Sequence, residues 1–111
     1  IDPLEYDADE GAEILLLGWG STYGAIGAAV RRLRSQGKKI ARAHLRHLNP
    51  FPKNLGEVLS RFDQIVVPEM NMGQLSKLIR SDFLIDTISI NKMKGLPFRA
   101  AEIEAEILEL M

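Results

Sequence analysis

LLLGWGSTYGAI, Leu15 to Ile26, joins an apolar run to a helical pattern through two glycines, an aromatic ring and two hydroxyls. EILLLGW, residues 13–19, is short for a helix and does not alternate, so it reads as a strand buried on both faces. Ser21 or Thr22 is placed to cap a helix over about Thr22 to Gln36, with Ile26, Ala29, Val30 and Leu33 as its apolar stripe. Gly20 would let an anion approach the helix amides. The glycines equally suit a bare, tight strand-to-helix turn. A dinucleotide fingerprint needs Gly-x-Gly-x-x-Gly, and Gly18, Gly20 and Gly24 put the third glycine one place late. No Walker lysine follows, and the second strand ends in basic residues rather than an acid for a ribose. The tight turn is the preferred reading, with Gly18, Gly20 and Ser21 as its structural residues.

The same pattern repeats along the chain. Gly37 stands where a left-handed residue ends the first helix, and a second strand follows over about Ile40 to Leu45. HLNPFPKN, residues 47–54, is a restricted loop. A helix is expected over Asn54 to Phe62, with Leu55, Val58, Leu59 and Phe62 inward. IVVP is the third strand, ended by Pro68, which has no amide hydrogen. Asn71 and Gln74 have the spacing of a capping box for a helix carrying Leu75, Leu78 and Ile79 on one side. DTISINK alternates cleanly, which suits an edge strand with one face partly wet. A last helix over about Ala100 to Leu110 groups Ile103, Ile107 and Leu110. Strands alternating with amphipathic helices make a mostly parallel sheet covered on both faces, an α/β fold. Residues 1–11 read as linker or short edge strand, and residues 12–111 as the α/β domain.

Composition narrows the functions. One domain suits 111 residues. Fourteen Lys and Arg against fifteen Asp and Glu support neither nucleic-acid nor polybasic membrane binding. There is no cysteine, so disulfides, thiolate metal sites, iron–sulfur ligation and thiol catalysis fall outside this chain. No apolar run approaches the roughly 20 residues of a membrane helix. The chain begins with Ile1 rather than Met, which raises the expectation of a longer parent.

Sites in open α/β sheets lie beyond the carboxyl ends of the strands. Those ends carry Gly18 to Tyr23, Arg46 to Phe51, Glu69 to Gln74, and Asn91 to Lys94. His44 and His47 supply two ligands with no third at motif spacing, so a metal is not expected. Ser21 and His47 could pair as nucleophile and base, but nearby Ser and His are common and carry little weight. In EMNMGQL, residues 69–75, Glu69 is a candidate acid or partner contact, and Met70 and Met72 suit adaptable apolar contacts.

GWGSTYGAI at 18–26, HLRHLNPFP at 44–52, EMNMGQL at 69–75 and NKMKGLPF at 91–98, in this order, resemble the C-terminal region of 2-oxoacid:ferredoxin oxidoreductase alpha subunits, especially the 2-oxoglutarate branch. The resemblance covers about Ala12 to the end. It implies a transketolase C-terminal-domain-like, three-layer α/β/α sandwich whose first, edge strand runs antiparallel, with LEYD at 4–7 as the candidate. It implies an accessory domain supporting domain and subunit assembly in an enzyme that oxidatively decarboxylates a 2-oxoacid to an acyl-coenzyme A. For the complete enzyme it implies thiamine diphosphate, magnesium, an iron–sulfur cluster and coenzyme A. The implied partners are the remaining alpha-subunit domains, the beta subunit and ferredoxin, in the cytoplasm. No position matches a diphosphate–magnesium or cluster motif, so no catalytic, cofactor or metal residue is assigned and the isolated chain is expected to be inactive. Tyr23, Arg46, His47, Glu69, Met70, Asn71, Met72 and Gln74 become candidates for a domain interface or a coenzyme A rim. A free-standing nucleotide- or anion-binding module is the alternative.

Overall fold

In this computed structural model, residues 2–69, 73–91 and 97–111 are described. In chain order they form β1 (Tyr6–Ala8), β2 (Ile14–Trp19), α1 (Tyr23–Ser35), β3 (Ala41–Leu45), α2 (Leu55–Leu59), β4 (Gln64–Glu69), α3 (Gln74–Phe83), β5 (Ile88–Asn91) and α4 (Ala100–Leu110). The sheet order is β1-β3-β2-β4-β5. β2 pairs in parallel with β3 and β4, and β4 with β5, while β1 runs antiparallel along β3.

The unalternating run in β2 has the predicted cause. Leu15 and Leu17 enter a core with Leu55, Leu59, Leu75 and Ile79, from α2 and α3. Leu16 and Ile14 enter the opposite core with Ile26, Val30, Leu33, Ile103 and Ile107, from α1 and α4. A strand between two helical layers has no wet face to alternate with. Each such side chain contributes roughly 1.5–3 kcal/mol by burial. β5, at the edge, keeps its alternation: Ile88 and Ile90 pack on the second core.

The antiparallel edge strand sits at Tyr6–Ala8, two residues later than LEYD. Leu4 is instead held by a side chain: its N–H donates to Asn54 Oδ1 at 2.7 Å, and Asn54 Nδ2 donates to its carbonyl at 3.0 Å. Arg34 fastens the strand's other end, bonding Asp7, Asp9 and the Ile40 carbonyl. Gly37, at φ 78°, ends α1 as expected: its N–H reaches Arg34 O, and that of Lys38 reaches Leu33 O.

Four expectations need correction. β4 runs through Pro68 to Glu69, because the β2 ladder stops at Leu16–Val66 and Pro68 is paired with β5 alone. Thr22 does not cap with its side chain; a 3₁₀ turn at Gly20–Thr22 precedes α1, and the Thr22 hydroxyl donates back to Trp19 O. Leu78 is exposed, outside the stripe of Leu75 and Ile79. α3 begins at Gln74 with Gly73 at the cap position, so Gln74 occupies the first helical position and the capping box is not formed. Asn71 itself lies outside the described residues.

Candidate functional site

β2 to β5 all point their carboxyl ends to one edge, and β1, running the other way, brings residues 2–5 to the same edge. Between this N-terminal arm and the end of β3 lies a cavity of 520 Å³. Tyr23, Arg42, His44, Arg46 and His47 line one side, and Asp2, Glu5 and Asp7 contribute from the arm. β3 explains the grouping. Ala41, Ala43 and Leu45 turn into the first core, which sends Arg42 and His44 to the α1 face.

α1 has been shaped around these side chains. The Arg42 guanidinium lies over the Tyr23 ring, 4.9 Å from its centre, and Tyr23 meets His44 edge-on at 5.0 Å. A Cβ on Gly27 would stand 2.7 Å from Arg42 Nη1, so the guanidinium packs directly over this glycine and would have to shift for a larger residue. His44 Nδ1 is buried without a hydrogen-bond partner, beside Gly18. Burial, then Arg42 and Arg46, pushes the His44 imidazole below its ordinary value of 6.5, so the ring is neutral at pH 7.

Gly18 answers the opening ambiguity. A Cβ there would meet Ile26 Cδ1 at 2.5 Å and Thr22 Oγ1 at 2.9 Å, so this glycine lets strand and helix touch. Gly20 adopts φ 64°, which turns the chain into the 3₁₀ segment. Both glycines are accounted for by packing and turning.

A second cluster centres on Glu69, which is 1% exposed. Its carboxylate accepts from Leu75 N at 2.6 Å, from Ser76 N at 3.4 Å and from Trp19 Nε1 at 3.3 Å. Leu75 and Ser76 are the second and third residues of α3, so Glu69 caps two of the free amides at its start. Beside it, Ser76 Oγ donates to Ser89 Oγ and Ser89 Oγ to Asn91 Oδ1.

The structure thus brings Tyr23, Arg46 and His47 to one cavity, with Arg42 and His44 added. Glu69, expected to meet a partner group, faces inward instead, because α3 and Trp19 occupy its oxygens. Gln74 is exposed at the start of α3. Met70, Asn71 and Met72 lie outside the described residues. Arg42 and His44 stand two residues apart in β3 and so share one face of it; the Trp19–Glu69 contact, 50 residues apart, had no sequence signal.

The family model described as pyruvate:ferredoxin oxidoreductase core domain II matches residues 12–103. The 2-oxoglutarate oxidoreductase subunit KorA of Mycobacterium tuberculosis is 55% identical over 104 residues, covering 93% of this chain and 16% of that protein. The solved 2-oxoglutarate:ferredoxin oxidoreductase of Magnetococcus marinus superposes with a TM-score of 0.90 at 31% identity, over 98% of this chain and 20% of that one. A split-gene transketolase shares the fold, with a TM-score of 0.71 at 14% identity over 98% of this chain and 42% of its own. The chain therefore spans about a sixth of its KorA relative. With a mostly parallel α/β sandwich, one antiparallel edge pair and these matches, the chain belongs to the 2-oxoacid:ferredoxin oxidoreductase alpha-subunit family, KorA-like, in its transketolase-C-like domain.

Proposed function

We propose that this chain is the accessory C-terminal domain of a cytoplasmic 2-oxoacid:ferredoxin oxidoreductase alpha subunit, with 2-oxoglutarate as the substrate class of the complete enzyme. Its task is assembly: it presents the carboxyl edge of its sheet to the remaining alpha-subunit domains and to the beta subunit. The observation that carries this reading is the near-complete superposition of the chain on one fifth of a 31% identical oxidoreductase chain. The internal bracing of that edge supports it. Glu69 ties β4 to α3 and to the end of β2. Tyr23, Arg46, His47 and Gln74 are exposed on that edge and are its candidate contact residues.

The complete enzyme's implied iron–sulfur cluster and metal do not fit the groups present here. The chain has no cysteine for a cluster, and among the described residues no three His, Asp or Glu side chains converge on a metal position. Decarboxylation, electron transfer to ferredoxin and acyl transfer to coenzyme A are therefore assigned to the rest of the assembly. Among the described residues no helix is long and apolar enough to cross a membrane.

The test is reconstitution. The chain is co-expressed with the remaining alpha-subunit domains and the beta subunit, and coenzyme A-dependent oxidation of 2-oxoglutarate is followed with ferredoxin as acceptor. The expected outcome is co-purification, turnover by the assembly, and none by the chain alone. Turnover by the chain alone, or an assembly equally active without it, would overturn the proposal.

A further inference from the structure

On its β3 side the cavity gathers donors that no carboxylate receives, although carboxylates line the opposite wall. Arg42 and Arg46 line it, and neither pairs with a carboxylate among the described residues. Other arginines of the chain do find such partners: Arg32, Arg34, Arg61 and Arg80 are each bonded to an Asp or Glu. The neutral His44 ring carries one N–H. Its Nδ1 is buried and unpartnered, and a bare acceptor is tolerated inside proteins better than an orphaned N–H. The proton therefore sits on Nε2, leaving a donor at the ring's outer end. Tyr23, 59% exposed, lies under the Arg42 guanidinium and edge-on to His44, which holds the group in place.

We infer that the Arg42–His44–Arg46 cavity binds the phosphate group of a small phosphate monoester. Guanidinium groups match phosphate oxygens in geometry as well as charge. A volume of 520 Å³ lies in the range of small-molecule sites. The opposite wall defines the rest of the ligand. Asp7 is already bound to Arg34, but Asp2 and Glu5 are exposed on the arm. These carboxylates repel a polyanion and accept hydrogen bonds from hydroxyl or amino groups. The fitting ligand carries one phosphate at the β3 side and hydrogen-bond donors at its other end. The inference rests on the reading of this edge as the working edge; it needs no partner subunit, so its failure and a failure of assembly are read separately.

The experiment is an NMR titration of the isotope-labelled chain with glucose 1-phosphate, with glucose, acetate and pyrophosphate as comparisons. Saturable shifts at Tyr23, Arg42 and the His44 ring nitrogens are expected with glucose 1-phosphate, and weaker binding of the other three. Arg46→Gln should weaken binding about tenfold, the effect of one charge-assisted hydrogen bond. Arg31→Gln, on the exposed face of α1, should leave it unchanged. Arg42→Gln should act like Arg46→Gln; if it unfolds the chain, the exposed Arg46 decides. Absence of saturable shifts at the cavity overturns the inference. So do acetate or pyrophosphate binding as tightly as glucose 1-phosphate, or Arg46→Gln changing affinity by less than about twofold.

Discussion

Glu69 ends β4 at the carboxyl edge of the sheet and is almost wholly buried there. At a strand exit beside two methionines it reads as a partner contact. In the fold its carboxylate holds two amides of α3 and the Trp19 indole. Glu69→Gln keeps the shape but replaces one acceptor oxygen with a donor that faces other donors. It should lower stability by about 2 kcal/mol, the scale of a charge-assisted hydrogen bond lost in a buried site. Urea unfolding measures this, and a change within about 0.5 kcal/mol would mean that the brace is unimportant. Gly18 was legible as a tight turn, since its neighbours and the late third glycine already disfavoured a nucleotide loop. Arg42 over Gly27 was not legible, because that contact joins two elements 15 residues apart through a missing side chain.

At the scale of elements, the ends of α1 and α3 teach the limits of reading punctuation. Both use a left-handed residue. At α1 it is Gly37, and glycine announces the end. At α3 it is Leu84, at φ 57° and 89% exposed, so the helix ends without the expected letter. The left-handed conformation costs a leucine roughly 1 kcal/mol, and an exposed side chain returns little. Leu84→Asn should therefore raise stability by about 0.5 kcal/mol, seen as a higher thermal midpoint. A lower midpoint would show that the leucine makes a contact of value. The periods of β2, β5 and α4 were readable because burial on two faces, one face or one stripe leaves a repeating mark. The start of α3 was not, because its cap comes from Glu69, several residues upstream on a strand. The β1 connection adds a pH effect. Asp9 accepts from the Ile40 amide and from Arg34, and these bonds lower its carboxyl below the ordinary 3.8. The folded chain thus favours the ionised form, so this stabilisation is complete above pH 3.8 and fades as pH falls through the lowered value. Asp9→Asn should flatten the acid limb of stability below that pH. Urea midpoints measured stepwise from neutral to strongly acidic pH check it, and parallel curves for the two proteins would refute it.

The whole molecule is a sheet with a helical layer on each face, and its two edges are finished differently. β5 closes one with four residues, while β1 closes the other with three residues and two side-chain clasps. Neither clasp belongs to a core cluster, although Leu4 itself does. Tension gives this arrangement a direction. A pull on the chain ahead of Leu4 loads the two Asn54 hydrogen bonds first, then the three β1 rungs in turn, with Arg34 engaged at Asp7 on the way and at Asp9 last. Bonds loaded in series along a peeling edge yield one after another at low force, whereas β2 and β4, flanked on both sides, must shear together. Mechanical load entering from the N-terminal side would therefore be relieved by letting out a short length of slack, which draws Leu4 from the first core and leaves the second core closed.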